Sequence, residues 1–89
     1  MILTVDIGNT NISMGFVDEG KIISTFRLTT KSPRTSDEFV IALSSFFTTA
    51  EVMKHQVEDV IISSVVPQIM YTFTSAIFKY LKKEPIIIG

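Results

Sequence analysis

The sequence predicts an α/β domain with a mixed sheet, built in the order βββαβαβ. Apolar segments of strand-like composition fill most of the first 28 residues, and only short polar turns separate them, which is typical of an antiparallel meander. Two later stretches carry apolar residues at helical spacing, and a short apolar run precedes the second stretch and another follows it. Residues 1–89 are interpreted as one domain, because the chain contains no internal repeat or linker.

The first three elements are predicted strands. Residues 1–6 form a strand that is apolar on both faces, which is typical of a central position in a sheet. Residues 12–17 and 22–28 form the second and third strands, and Gly20 can adopt the positive φ that the turn between them requires. In such a meander the third strand runs parallel to the first.

Helices and strands alternate in the remainder of the chain. The first helix is expected to begin at Thr35, whose hydroxyl caps it while Glu38 completes a capping box. A fully buried strand is predicted from Asp59, and Pro67 then suits the first turn of the second helix. Right-handed crossovers place the strand at residues 59–62 parallel to the first strand, and the last strand, residues 85–88, parallel to that one.

This topology brings polar residues from distant parts of the chain to one edge of the sheet. Open α/β sheets bind ligands at the edge where their parallel strands end. We therefore expect a cleft at this edge. The residues that emerge there are Asp6, Thr29, Thr30, Ser63, Ser64 and Gly89.

The loop after the first strand has the composition of a phosphate-binding loop. Gly8 permits close approach of a ligand to the backbone, and short side chains with amide or hydroxyl donors follow it. Asp6 alone would repel a phosphate charge at about 4 Å by about 4 kcal/mol at an effective dielectric of 20. A magnesium ion between the two groups reverses that sign, and it needs few protein ligands. The candidate phosphate-binding residues are Asp6, Ile7, Gly8, Asn9, Thr10, Asn11, Ile12 and Ser13.

Structural interpretations compete with functional ones at several positions. The loop by itself also suits a hairpin closed by Asx-type turn bonds. Ser63 and Ser64 either shape the pocket or bond the backbone where a strand turns into a helix. Arg27 either reaches a phosphate or substrate or is a solvated or salt-bridged arginine, and the second interpretation is favoured. His55 has no partner in the sequence and is expected to be exposed to solvent.

Composition excludes several classes of function. The formal charge of −1 offers no electrostatic basis for binding nucleic acid or an anionic membrane. The absence of cysteine excludes disulfides and thiolate metal sites in this chain and fits a cytoplasmic protein. No apolar run approaches the roughly 20 residues of a membrane span. We therefore expect a soluble, cytoplasmic protein.

Four motifs together resemble the type III pantothenate kinase family of the superfamily that also contains acetate and sugar kinases, heat-shock chaperones and actin. They are DIGNTN at residues 6–11, FRLTT at 26–30, RTSDE at 34–38 and ISSVVP at 62–67. They occur in the family's order and spacing and cover essentially the whole chain. The resemblance implies a ribonuclease-H-like half-domain at the N-terminus of a longer kinase.

The resemblance also implies the ligands and the parts that lie elsewhere. Asp6 would hold Mg²⁺ on the phosphates of ATP, and residues 7–13 would wrap those phosphates. The catalytic aspartate of a Gly-Ala-Asp-Arg segment, the pantothenate pocket, a site for K⁺ or NH₄⁺ and most of a homodimer interface would follow beyond residue 89. The expected reaction is ATP-dependent phosphorylation of pantothenate, and the 89-residue chain alone is expected to be inactive.

Three alternatives remain open at this point. The chain could begin another kinase of the superfamily, although the motifs at residues 34–38 and 62–67 argue against this. It could also belong to a non-catalytic regulatory paralogue. Finally, it could be a half-domain that is stable only through association.

Overall fold

The computed structural model describes residues 1–88 and shows a five-stranded mixed sheet with two α-helices, which confirms the predicted fold class. The elements follow the order βββαβαβ, with one short 3₁₀ turn at Lys54–Gln56. The strands are β1 (Ile2–Ile7), β2 (Asn11–Asp18), β3 (Lys21–Thr29), β4 (Asp59–Ser64) and β5 (Ile86–Ile88), and the helices are α1 (Ser36–Ala50) and α2 (Pro67–Leu81).

The sheet has the strand order β3-β2-β1-β4-β5, so β1 is central as predicted. β1 pairs antiparallel with β2, and β2 pairs antiparallel with β3. β4 pairs parallel with β1, and β5 pairs parallel with β4. The meander and both parallel pairings are therefore confirmed, and β1, β3, β4 and β5 all end at one edge of the sheet.

The helix ends follow from local sequence. Thr35 is the N-cap of α1: its Oγ1 accepts the Glu38 amide at 3.1 Å, and the Glu38 carboxylate accepts the Thr35 amide at 2.8 Å. The predicted capping box is confirmed, and Pro67 occupies the first turn of α2 as predicted. Glu51 and Lys82 end the two helices in the left-handed conformation, with φ of 58° and 57°.

Both helices cover the same face of the sheet. From β3 the chain crosses to β4 and then to β5 in one direction, and right-handed crossovers in one direction place their helices on one side. The Phe46 ring stacks on Phe16 with centroids 4.4 Å apart and on Phe26 at 5.3 Å, which fixes α1 on β2 and β3. Phe39 and Phe73 join the two helices with centroids 5.0 Å apart.

The opposite face of the sheet, called the open face below, carries no element among residues 1–88. It includes Asp6, Ser13, Arg27, Ile61 and Ser63. The prediction that the strand at residues 59–62 is fully buried is wrong, since Asp59 is exposed and Ile61 is only partly buried. A short apolar run in a sequence shows that a strand packs against a core, but it does not show whether a second layer covers the strand.

The connection between α1 and β4 contributes to the core, although most of its residues are polar. His55 is exposed, as predicted, but Val52 and Val57 on either side of the 3₁₀ turn are buried in the core. Within residues 1–88 neither helix has the length and apolar character needed to cross a membrane.

Candidate functional site

The candidate phosphate-binding loop is a tight connection between β1 and β2. The pair Ile7 and Ile12 closes the hairpin, and both side chains are buried. The Gly8 amide donates to the Asn11 carbonyl at 2.9 Å and sets the turn. Buried aliphatic residues therefore hold the base of the loop, while its tip, Asn9 and Thr10, is exposed to solvent.

Gly8 is not required by the backbone geometry of this turn. Its φ is not in the positive range, and a Cβ at this position would meet only the Asn11 carbonyl at 3.4 Å, an ordinary contact. The fold thus tolerates a side chain at Gly8. What glycine provides is open space above the loop, which is the property that close approach of a phosphate to the backbone requires.

The end of β3 holds the tip of the loop in place. The Thr30 hydroxyl donates to the Asn9 carbonyl at 2.6 Å, and the Thr30 amide donates to the Thr10 carbonyl at 2.9 Å. Both loop carbonyls are therefore engaged, whereas the amides of Asn9 and Thr10 donate no hydrogen bond within residues 1–88. The loop is left with free donors, which favours an anion as its ligand.

Replacing Thr30 with valine tests this contact. The variant keeps the size of the side chain and the amide bond to Thr10 but loses the hydroxyl bond to Asn9. We expect hydrogen exchange at the Gly8 and Thr30 amides to accelerate about fivefold relative to the Val5 amide, the effect of losing one hydrogen bond. Thr30→Ser keeps the hydroxyl and serves as the control. Equal exchange rates at these amides in Thr30→Val and Thr30→Ser would show that the hydroxyl does not hold the loop.

Asp6 lies at the centre of a row of side chains that crosses the open face. It pairs in register with Ser13 of β2 on one side and with Ser63 of β4 on the other. Asp6 is exposed and has no hydrogen-bond or ion-pair partner for its carboxylate within residues 1–88. The sheet thus presents one unpaired carboxylate between two small side chains, next to the loop.

The residues at this edge fit a magnesium ion that is held mainly by a nucleotide. Residues 1–88 contain no group of three or more carboxylate, histidine or cysteine side chains that could hold a metal by themselves. Mg²⁺ commonly uses one or two carboxylates together with phosphate oxygens and waters, and the single free carboxylate of Asp6 meets that need.

The other residues that the sequence placed at this edge have different surroundings. The Ser64 hydroxyl accepts the Val66 amide at 3.0 Å and donates to the Val66 carbonyl at 3.1 Å, so it serves the turn into α2. Thr29 Oγ1 accepts the Lys31 amide at 3.2 Å. Ser63 is exposed on the open face beside Asp6. Gly89 lies outside the described residues.

The sequence predicted a cleft at this edge, and the structure shows two concavities that border the loop, one on each face of the sheet. A groove of about 290 Å³ lies behind the loop on the helix side, and its polar groups include Thr30, Arg34 and Gln68. The Arg34 guanidinium donates to the Thr29 carbonyl and so fixes the segment between β3 and α1. A shallow depression of about 310 Å³ lies on the open face around Asp6, Ser13 and Ser63.

Comparison with known proteins gives one consistent result at the level of sequence. A family model described as type III pantothenate kinase matches residues 2–89. A type III pantothenate kinase of Bifidobacterium adolescentis is 45% identical over 89 residues, which are 100% of this chain and 35% of that protein. One from Agathobacter rectalis is 46% identical over 88 residues, 99% of this chain and 34% of that protein. The chain thus spans about a third of the length of the curated relatives it matches.

Comparison with solved structures supports the fold. The crystal structure of the Aquifex aeolicus member of the Ppx/GppA protein family aligns with 98% of this chain and 34% of its own, with a TM-score of 0.50 and 16% sequence identity. At that identity the similarity concerns the fold alone.

Proposed function

The chain belongs to the type III pantothenate kinase family, and we propose that the protein containing it transfers the terminal phosphoryl group of ATP to the hydroxyl of pantothenate. This reaction is the first step of coenzyme A biosynthesis. Residues 1–89 act in it as the N-terminal, nucleotide-facing domain. The observation that carries the proposal is the family match over residues 2–89, combined with a loop whose free groups are donors beside one unpaired carboxylate.

The loop binds the phosphates of ATP through its backbone and short side chains. The amides of Asn9 and Thr10 are free within residues 1–88 and donate to phosphate oxygens, while Gly8 leaves room for that approach. Thr30 fixes the two carbonyls that would otherwise repel the anion. Because these donors are held before the ligand arrives, little free energy is lost in ordering them. The residues that surround the phosphates are Asp6, Ile7, Gly8, Asn9, Thr10, Asn11, Ile12 and Ser13.

Asp6 orients the phosphates through Mg²⁺. When bound, the ion neutralises charge on the phosphate oxygens and so favours transfer of the terminal group. Asp6 would hold the ion, and Ser13 and Ser63, which flank Asp6 in register, would supply hydroxyls to its water shell. Thr29 and Ser64 lie at the same edge, where their hydroxyls bond the backbone of their own turns.

The remaining parts of the proposed enzyme belong to the portion of the protein beyond this chain. We propose that this portion holds the aspartate that accepts the proton of the substrate hydroxyl, the pantothenate pocket, the site for K⁺ or NH₄⁺ and the homodimer interface. The curated relatives are about three times as long as this chain, which is consistent with that division. We propose a cytoplasmic location, where ATP and pantothenate are both available.

An assay of the full-length protein beside the 89-residue chain tests this function. We expect the full-length protein with MgATP to release ADP only when pantothenate is added, and to yield 4'-phosphopantothenate detectable by mass spectrometry. The 89-residue chain should show no pantothenate-dependent release of ADP, because no described residue is placed to act as the base. Nucleotide binding by the full-length protein without any pantothenate-dependent turnover would favour the regulatory paralogue instead.

A further inference from the structure

The row of side chains through Asp6 continues to a positive charge. On β3, Arg27 pairs in register with Ser13, and Ser13 pairs with Asp6. The order across the open face is therefore Arg27, Ser13, Asp6 and Ser63, with each residue on its own strand. One cation and one anion of the sheet thus lie on the same line, with a single small side chain between them.

The side chain of Arg27 has no bonding partner among the residues that the structure describes. Its side chain is exposed and makes no hydrogen bond or ion pair within residues 1–88. Arg34, the other arginine of the chain, is engaged with the Thr29 carbonyl. Unlike Arg34, Arg27 therefore keeps all its guanidinium donors free for a ligand within residues 1–88.

The distance between the two charged residues suits a shared ligand better than direct pairing. Their strands are two spacings apart, or about 10 Å between backbones. The depression around Asp6 and a second one of about 400 Å³ around Arg27 share Ser13, Met14 and Thr25 in their linings. A continuous shallow surface therefore leads from the carboxylate to the guanidinium across Ser13.

We propose that Arg27 binds the terminal phosphate of the nucleotide whose other phosphates lie in the loop. The guanidinium donates two parallel hydrogen bonds to phosphate oxygens, a geometry that arginine forms readily. Asp6 would hold Mg²⁺ at the same phosphate, so two positive charges would stabilise the transferring group. This inference rests on the proposed function for the identity of the nucleotide. It adds a residue on β3 to a phosphate site otherwise formed by β1 and β2.

Nucleotide affinity of the full-length protein provides the first test, since it requires no turnover. We expect wild type to bind MgATP more tightly than MgADP. Arg27→Gln should weaken MgATP binding about 10-fold or more and MgADP binding less than about 2-fold, because only ATP carries the terminal phosphate. Arg27→Lys keeps the charge without the paired donors, so its affinity for MgATP should lie between those of wild type and Arg27→Gln. Lys21→Gln is the matched control, because it removes one positive charge from the exposed far end of the same strand.

Steady-state kinetics provides the second test. It shows whether Arg27 binds the terminal phosphate of ATP or the carboxylate of pantothenate. If Arg27 holds the terminal phosphate, Arg27→Gln lowers kcat/KM for ATP about 10-fold or more and leaves KM for pantothenate unchanged. An increase in KM for pantothenate alone would show that Arg27 binds the carboxylate of pantothenate, and it would overturn the proposal. Equal loss of MgATP and MgADP binding, or no loss of either, would overturn it as well. Because the binding test needs no pantothenate, it stands even if the protein proves to phosphorylate something else.

Discussion

Asp6→Asn is expected to remove the Mg²⁺ dependence of nucleotide binding and to lower phosphoryl transfer by about 100- to 1,000-fold, the scale of losing one electrostatic stabiliser. The carboxylate has no other role in the described structure, since it is exposed and unpaired within residues 1–88. Its charge favours binding when a cation lies between it and the phosphates and opposes binding when none does. The variant should therefore bind MgATP less tightly, and it should bind metal-free ATP as well as wild type or better.

Titration of the full-length protein with ATP, in the presence of Mg²⁺ and of a chelator, measures this effect. Asp59→Asn is the matched control, because Asp59 is an exposed carboxylate on the same face at the opposite end of β4, paired in register with Ile2. Both variants should retain the unfolding midpoint of wild type, as expected for exposed positions. A ratio of affinities with and without Mg²⁺ that stays at the wild-type value in Asp6→Asn would exclude the metal-bridging role.

Phe46→Ala is expected to have the largest effect on stability. The side chain is fully buried and lies between α1 and the sheet, with its ring stacked on Phe16 and Phe26. Truncation of a buried phenylalanine to alanine costs about 3–5 kcal/mol. A domain of this length is stabilised by roughly 4–13 kcal/mol in total. The variant should therefore lose a large part of the stability of the domain, which urea titration followed by circular dichroism would detect.

Phe78→Ala is the matched control for this prediction. Phe78 is also a helical phenylalanine, but 51% of its surface is exposed on the outer side of α2. Its loss should cost about 1 kcal/mol, because only part of the side chain is buried. Similar denaturation midpoints for the two variants would contradict the packing of α1 on β2 and β3 described above.

Much of the candidate site could be predicted from the sequence, because its chemistry is contiguous. The loop at residues 6–13 combines an aspartate, a glycine and several short donors within eight positions, and the meander with its parallel crossovers brings Thr30 and Ser63 to the same edge. The contacts between segments could not be predicted. That Thr30 holds the loop carbonyls, whereas the Ser64 hydroxyl serves its own turn, depends on where each side chain points after the strands have twisted and paired.

The sequence by itself determined the elements of this domain, their order and the starts of both helices, because these follow from local signals. The capping box at Thr35 and Glu38, Pro67 at the start of α2 and the apolar periodicities all act within a few residues of the chain. The tertiary structure alone decided which faces are covered. The crossovers to β4 and β5 run in one direction, so both helices pack on one side and leave Asp6, Ser13 and Arg27 in register on the other. These three residues belong to three different strands. They become neighbours only when the strands pair in this register and one face stays uncovered.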